Sequence, residues 1–198
     1  MSFLNLMKQR RTQYALNKDL PLPAAEVETL VKQVIKETPS AFNSQSSRAL
    51  ILFGDESQKF WDLTRETLRK IVPEADFGPT NEKMDSFAAG AGTILFFEDQ
   101  NVIKGLQEQF APYADKFPEF SANSAGMTQL AVWVALAEKN IGASLQHYNP
   151  LIDEAVRETW GLPESWYLSA QMPFGGNAAE IGAKEYMKDE ERFKTFGL

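Results

Sequence analysis

The stretch TPSAFNSQSSR, Thr38 to Arg48, marks the point where an amphipathic helix gives way to an apolar strand. Pro39 ends the helix, because a residue that precedes proline avoids the helical region. The run ALILF, Ala49 to Phe53, follows at once and predicts a strand. Between them lie short polar side chains, and such connections often carry function when a rigid scaffold holds them. The stretch therefore predicts a helix–loop–strand unit with a functional loop.

Apolar periodicity predicts further elements on both sides of this unit. Upstream, it predicts a helix from Pro23 to about Glu37 and a shorter one from Ser2 to Arg10, capped by Ser2. Downstream, it predicts helices over residues of about 56–72, 81–89, 102–110, 121–140 and 150–159. Strands are predicted over residues 93–97, 143–146 and 166–174.

Glycine and proline predict the breaks between these elements. We expect a loop over residues 76–80 and a break at Gly175-Gly176. Asn149-Pro150 combines a capping residue with proline at the first helical position, which predicts a helix start. Beyond Gly176 the chain is mostly polar, and we expect it to lie across a surface, with a short helix within residues 187–196.

The predicted elements define an α+β (mixed α/β) fold of about four strands and seven or eight helices in a single domain, residues 1–198. The helix over residues 121–140 is apolar on nearly every side, which places it at the centre of the domain or in a dimer interface. Neither a GxGxxG nor a GxxxxGKS motif is present, so a Rossmann domain or a P-loop is not expected.

Composition narrows the class of protein further. A chain of 198 residues fits one domain or one subunit of an intertwined dimer. A net charge of −7 argues against a nucleic-acid partner and against docking on anionic lipid. The chain has no cysteine, which excludes disulfides and thiolate chemistry. The first residues, MSFLNLMKQRR, are too polar for a signal peptide, and no apolar run approaches the ~18 residues of a membrane span, so we expect a cytoplasmic protein.

Two polar segments are candidates for binding. Arg10-Arg11-Thr12 is either a phosphate clamp, since guanidinium groups match phosphate oxygens, or a solvated pair at a helix end. Gln146–Asn149 holds the single histidine, His147, and is either a structural turn or a site for an electron-rich ligand. One histidine and no cysteine leave no familiar metal-ligand pattern, and no GxSxG motif supports a hydrolase. A third group, the aromatics between Phe110 and Phe120, is either a packing cluster or a substrate lid.

Four segments follow one another in order: RRTQYAL (Arg10–Leu16), TPSAFNSQSSR (Thr38–Arg48), GTILFFED (Gly92–Asp99) and LQHYNP (Leu145–Pro150). Together they resemble the nitroreductase family, and within it the branch of fungal Frm2-like and lactic-bacterial CinD-like enzymes. The likeness covers essentially the whole chain. It implies a three-layer fold with a central, mainly antiparallel sheet, assembled as an intertwined homodimer with two FMN sites at the interface.

The resemblance also implies an activity. NAD(P)H and then a nitroaromatic, quinone or similar small aromatic acceptor would react in turn, in a ping-pong sequence through FMN. A flavin carries such chemistry itself, so no catalytic side chain is implied. The alternative is a flavin-binding protein for redox sensing or stress response, with incidental turnover.

The resemblance assigns FMN contacts residue by residue. The phosphate would be held by Arg10, Arg11, Thr12 and Lys184. A loop from the partner subunit would cover the ring with Ser40, Ala41, Phe42, Asn43 and Gln45. Lys83 would lie near the pyrimidine, and either that edge or the dimethylbenzene-to-N5 side would be met by Gln146, His147 and Tyr148. Tyr14 stands where many family members carry a further basic residue, which bears on the range of acceptors.

Overall fold

The computed structural model describes residues 2–198, which form eight α-helices and five strands. The helices are α1 (Phe3–Gln9), α2 (Ala24–Glu37), α3 (Gly54–Arg69), α4 (Phe77–Ala88), α5 (Gln100–Gln109), α6 (Phe117–Glu138), α7 (Asp153–Trp160) and α8 (Asp189–Arg192). The strands are β1 (Leu16–Asn17), β2 (Ser47–Phe53), β3 (Gly92–Asp99), β4 (Ile141–Ala143) and β5 (Trp166–Asn177).

The strands form one antiparallel sheet in the order β1-β5-β3-β2, and β4 pairs with β5 on the edge opposite to β1. β3 lies between β2 and β5 along its whole length, so its side chains are buried on both faces. Ile94 and Phe96 pack towards α2 and α6, whereas Leu95 and Phe97 pack towards α3, α4 and α7. Helices therefore cover both faces of a central sheet, as the resemblance implied.

The first two helices follow the sequence prediction closely. The Ser2 hydroxyl accepts a hydrogen bond from the Asn5 amide at 3.3 Å and caps α1. Val27 and Val31 of α2 are fully buried against the sheet. The helix ends at Glu37, two residues before Pro39, so the helix–loop–strand unit is confirmed.

Two prolines lie in the first turns of helices, and one of them, Pro79, falls where a loop was predicted. α4 includes Pro79 in its first turn, and α6 includes Pro118 in its first turn. Proline is tolerated there because the first amides of a helix have no partner within the helix. The prediction of a loop over residues 76–80 is therefore wrong, and α6 begins four residues earlier than predicted.

The predicted helix start at Asn149-Pro150 is also wrong, because α7 begins at Asp153. The Asn149 side chain does not cap a helix. Its Oδ1 accepts a hydrogen bond from Gln171 Nε2 at 3.2 Å, and residues 149–152 form turns. The conformation of this segment is therefore set by a contact with β5, which is distant in sequence. Such a contact cannot be predicted from the residues next to Asn149.

The predicted break at Gly175-Gly176 is a continuous part of β5. A Cβ on Gly175 would lie 2.2 Å from the Asn17 carbonyl oxygen, so glycine is needed for the close approach of the N-terminal segment. The strand predicted over residues 143–146 is displaced to β4, and Gln146 forms only an isolated bridge with Gln171.

The C-terminal tail is exposed from Asn177 onward, and its helix covers only Asp189–Arg192. Its first residues are fixed to the N-terminal segment, since the Ala178 amide donates to the Ala15 carbonyl at 2.9 Å. Among residues 2–198, the tail beyond Gly182 makes hydrogen bonds only within itself. Its apolar side chains Phe193 and Phe196 are exposed.

Candidate functional site

Arg10 lies at the end of α1 with its guanidinium in a partly apolar setting. Its Cζ is 4.4 Å from the centre of the Trp133 ring. Its Nε is buried and has no hydrogen-bond partner among residues 2–198. Burial lowers the pKa of Arg10, and the neighbouring charge of Arg11 lowers it further. The Nε of Arg10 is thus a buried cationic donor without an acceptor, which is the arrangement expected of a side chain that binds an anionic ligand.

Arg11 points in another direction, towards the C-terminal tail. Its Nη1 donates to the Gly182 carbonyl at 2.9 Å, two residues before Lys184. Thr12 pairs with Ala143 of β4 through the backbone. Both arginines, Thr12 and the segment that carries Lys184 are therefore brought to one end of the sheet, although the Lys184 ammonium itself lies over the Tyr186 ring at 5.1 Å.

Lys83 belongs to an aromatic group that adjoins this end of the sheet. Its ammonium is 5.9 Å from the centre of the Phe87 ring on the same helix, α4. The Tyr14 ring lies 6.3 Å from Phe87, and Tyr14 follows Thr12 by two residues. Trp61 lies 4.7 Å from Phe87 on its buried side. Phe87 and Trp61 are fully buried, so the aromatic surface that the group exposes is the Tyr14 ring, and the exposed Lys83 supplies one cation.

Gln146 and Tyr148 join the same group through β5. Gln146 and Gln171 exchange both backbone hydrogen bonds, at 2.7 and 2.9 Å. The Tyr148 amide donates to Gln171 Oε1 at 2.7 Å, and the Tyr148 ring lies 6.0 Å from Trp61. His147 between them is exposed, and its side chain makes no hydrogen bond within residues 2–198.

The Tyr148 hydroxyl keeps its proton over an extended pH range. Burial raises the pKa of Tyr148 to about 12, and the nearby phenol of Tyr14 raises it as well. Like any phenol, Tyr148 is a neutral hydrogen-bond donor at neutral pH, and the raised pKa extends that form to more alkaline pH.

Gln171 organises this segment, although it is not among the predicted site residues. It is fully buried in β5, and its side chain contacts both Tyr148 and Asn149. A glutamine inside the apolar run of residues 166–174 was the available signal, because a buried amide must find partners.

The loop Ser40–Gln45 lies elsewhere on the same chain. The Ala41 amide donates to Ser124 Oγ of α6 at 3.3 Å, and the Phe42 ring packs at 4.8 Å from Phe110 and 5.4 Å from Phe117. No hydrogen bond within residues 2–198 joins this loop to the Arg10–Thr12 segment. One chain therefore brings together the predicted residues 10–12, 83, 146–148 and the tail near Lys184, but not the loop.

The aromatics between Phe110 and Phe120 form a packing cluster, with the loop as part of it. Phe117 is buried and contacts Phe120 at 5.8 Å as well as Phe42. Tyr113 is half exposed, so this side of the cluster stays open to solvent.

Residues 2–198 contain no group of three His, Asp or Glu side chains arranged to hold a metal ion. Within the same residues, no helix is both long and apolar enough to cross a membrane.

The chain belongs to the nitroreductase family, because the profile of that family matches residues 7–176. It is therefore an oxidoreductase of the kind that reduces nitro compounds.

Its relatives place it in one branch of the family. It is 37% identical to the putative nitroreductase HBN1 of Saccharomyces cerevisiae over 96% of this chain and 95% of that protein. It is 33% identical to the nitroreductase FRM2 of the same yeast, over 88% and 87%. The solved structure of nitroreductase CinD from Lactococcus lactis in complex with chloramphenicol superposes with a TM-score of 0.91 and 46% identity, over 99% and 100%. The predicted likeness to the Frm2-like and CinD-like branch is confirmed.

Proposed function

We propose that this protein is an FMN-dependent enzyme that uses NAD(P)H to reduce nitroaromatic compounds or quinones in a ping-pong sequence. The observation that carries the proposal is the guanidinium of Arg10, with its buried Nε that lacks an acceptor, in one segment with Arg11 and Thr12. A doubly charged phosphate is the ligand that satisfies two guanidinium groups and a hydroxyl.

The residues beside this segment suit a flavin ring. The exposed Tyr14 ring and the half-buried phenol of Tyr148 offer an aromatic surface, Phe87 is buried behind Tyr14, and Lys83 supplies a cation. The ring of a flavin is flat and apolar with a polar, electron-rich edge, so these residues fit it. When bound, FMN would supply two-electron transfer between NAD(P)H and the acceptor. The side chains would bind and orient, and none is asked to act as a nucleophile.

We propose further that the functional unit is a homodimer in which Ser40–Gln45 covers the flavin of the partner subunit. Within one chain the loop contacts α6, Phe110 and Phe117, and no hydrogen bond within residues 2–198 joins it to residues 10–12, which supports that arrangement. The surface of α6 supports it too, because Met127 and Leu130 remain exposed beside Phe3 and Val34 of α1 and α2. The exposed Phe193 and Phe196 of the tail offer a second apolar contact for another subunit.

The acceptor is proposed from the relatives. CinD has been solved in complex with 4-nitrophenol, and the present chain is 46% identical to it. The cytoplasmic location stays a prediction from the sequence.

A steady-state assay tests the proposal. The purified protein, supplied with FMN, should oxidise NADH or NADPH continuously when a nitroaromatic compound or a quinone is present, and only slowly without one. A single stoichiometric reduction of bound FMN, with no turnover on any acceptor, would favour the redox-sensing alternative instead.

A further inference from the structure

Glu98 buries its carboxylate at the end of β3, where three serine hydroxyls donate to it. Ser46 Oγ and Ser121 Oγ donate to Oε2 at 2.5 and 2.6 Å, and Ser47 Oγ donates to Oε1 at 2.5 Å. Only 4% of Glu98 is exposed. Hydroxyl donors at these distances make strong, charge-assisted hydrogen bonds.

No cation among residues 2–198 shares this charge. The ion pairs within residues 2–198 do not include Glu98, and the nearest one joins Arg48 to the adjacent Asp99. A buried carboxylate is costly unless hydrogen bonds replace its water, so the three serines are its compensation. Ser46 and Ser47 lie near the end of the Thr38–Arg48 stretch, and Ser121 belongs to α6. One carboxylate therefore ties the stretch and α6 to the sheet.

The stretch that Glu98 holds is conformationally strained. The backbone φ angles of Phe42, Asn43 and Gln45 are 57°, 51° and 50°. These values lie in the left-handed region, which residues other than glycine rarely adopt. Such a conformation persists only where the surroundings enforce it, and it is typical of functional loops. The Asp99 amide also binds the Ser46 carbonyl at 2.9 Å, so the anchoring converges on the end of β3.

We propose that Glu98 is the positioning residue that keeps the loop Ser40–Gln45 in its strained conformation, and that it thereby sets the affinity for the aromatic acceptor. The second half of this inference rests on the proposed function, in which the loop covers the flavin. A glutamine of the same size cannot receive all three hydroxyl donors, because its amide nitrogen donates instead.

The test compares full-length Glu98→Gln with the wild-type protein, both loaded with FMN. Amide hydrogen exchange over residues 40–48 should become about ten-fold faster, while the rest of the chain keeps its protection. The Kd of 4-nitrophenol, read from the change in flavin absorption, should rise by about the same factor with FMN still bound. Glu119→Gln is the matched control, because Glu119 is exposed in the first turn of α6.

Unchanged exchange over residues 40–48, or an equal rise along the whole chain, would overturn the positioning role. Faster loop exchange with an unchanged Kd would overturn the link to the acceptor. If Glu98→Gln does not fold, Ser121→Ala should accelerate loop exchange and Ser121→Thr should not. If the protein binds no FMN, the proposed function fails, and loop exchange alone decides whether Glu98 holds the loop.

Discussion

Arg10 and Arg11 are neighbours in sequence, yet they face different surroundings. Arg10 lies on Trp133 with a buried Nε, and Arg11 reaches the tail at Gly182. A phosphate between them would meet one guanidinium fixed by packing and one fixed by a hydrogen bond. The charge of the pair is therefore available to a ligand although neither side chain forms an ion pair within residues 2–198.

Arg11→Ala should weaken FMN binding by about 1.5–3 kcal/mol, because a charge-assisted hydrogen bond to phosphate is lost. Equilibrium dialysis of the apoprotein against FMN measures the change. Lys70→Ala removes an exposed cation at the end of α3 and should leave the affinity unaltered. Equal affinity of wild type and Arg11→Ala would refute the phosphate assignment.

Tyr148 predicts a specific response to alkaline pH. Its pKa is raised to about 12 in the folded protein by burial and by Tyr14, against about 10 for an exposed phenol. Between these values the unfolded chain releases a proton that the folded chain retains, so the free energy of unfolding falls as pH rises from about 10 to 12. Tyr148→Phe should show a shallower fall over this range.

Urea denaturation at pH 8, 10 and 11 measures that difference, with the exposed Tyr113→Phe as control. The same alkaline slope in Tyr148→Phe and wild type would show that the phenol of Tyr148 titrates as it does in the unfolded chain.

The candidate site was predictable from sequence where it consists of short segments. Residues 10–12 and 146–148 stand out by composition and order. Gln171 was missed, because its role depends on a strand pairing that places it beside residue 148. A buried Glu98 was equally hidden, since 27 acidic residues look alike until their burial is known.

At the scale of elements, periodicity predicted the helices better than glycine and proline predicted their limits. Amphipathic spacing identified α2, α3 and α5, because the buried stripe of a helix is written in the sequence. Pro79 falls in the predicted loop and Pro118 precedes the predicted helix, but both lie in the first turns of helices. A proline breaks a helix only where its missing amide would have donated within the helix, so its effect depends on where the helix starts.

Gly175 and Gly105 should respond oppositely to substitution by alanine, because only Gly175 lies close to another part of the backbone. Gly175→Ala would force a Cβ against the backbone of Asn17 and Ala91, and should destabilise the fold by about 1–3 kcal/mol. Gly105 lies inside α5 with open space around it, so Gly105→Ala should stabilise by about 0.5–1 kcal/mol. Thermal and urea unfolding of both variants checks the opposite signs; a neutral Gly175→Ala would contradict the close approach.

At the scale of the whole molecule, part of the apolar surface of α6 is exposed in the single chain, although the helix was expected to be buried on all sides. Met127 is 42% exposed and Leu130 is 38% exposed, although Val132 and Leu136 on the same helix are fully buried. A second copy that packs on this face would bury the helix on all sides.

Leu130→Glu should therefore convert the proposed dimer into a monomer, because a charge on an apolar face that the partner buries is costly. Sedimentation velocity measures the change in mass. Ile71→Glu places the same charge on an exposed apolar position two residues after α3 and should leave the proposed dimer intact. A wild-type protein that sediments as a monomer would contradict the shared site.

The central claim is a reducible flavin held by the Arg10–Thr12 segment and covered by the loop of a second subunit. An absorption spectrum of the purified protein, followed by addition of NADH without oxygen, tests it most directly. We predict the bands of oxidised flavin, as purified or after addition of FMN, and their loss when NADH is added. A protein that is colourless and does not bind added FMN would contradict the claim. The family likeness would then support only the fold.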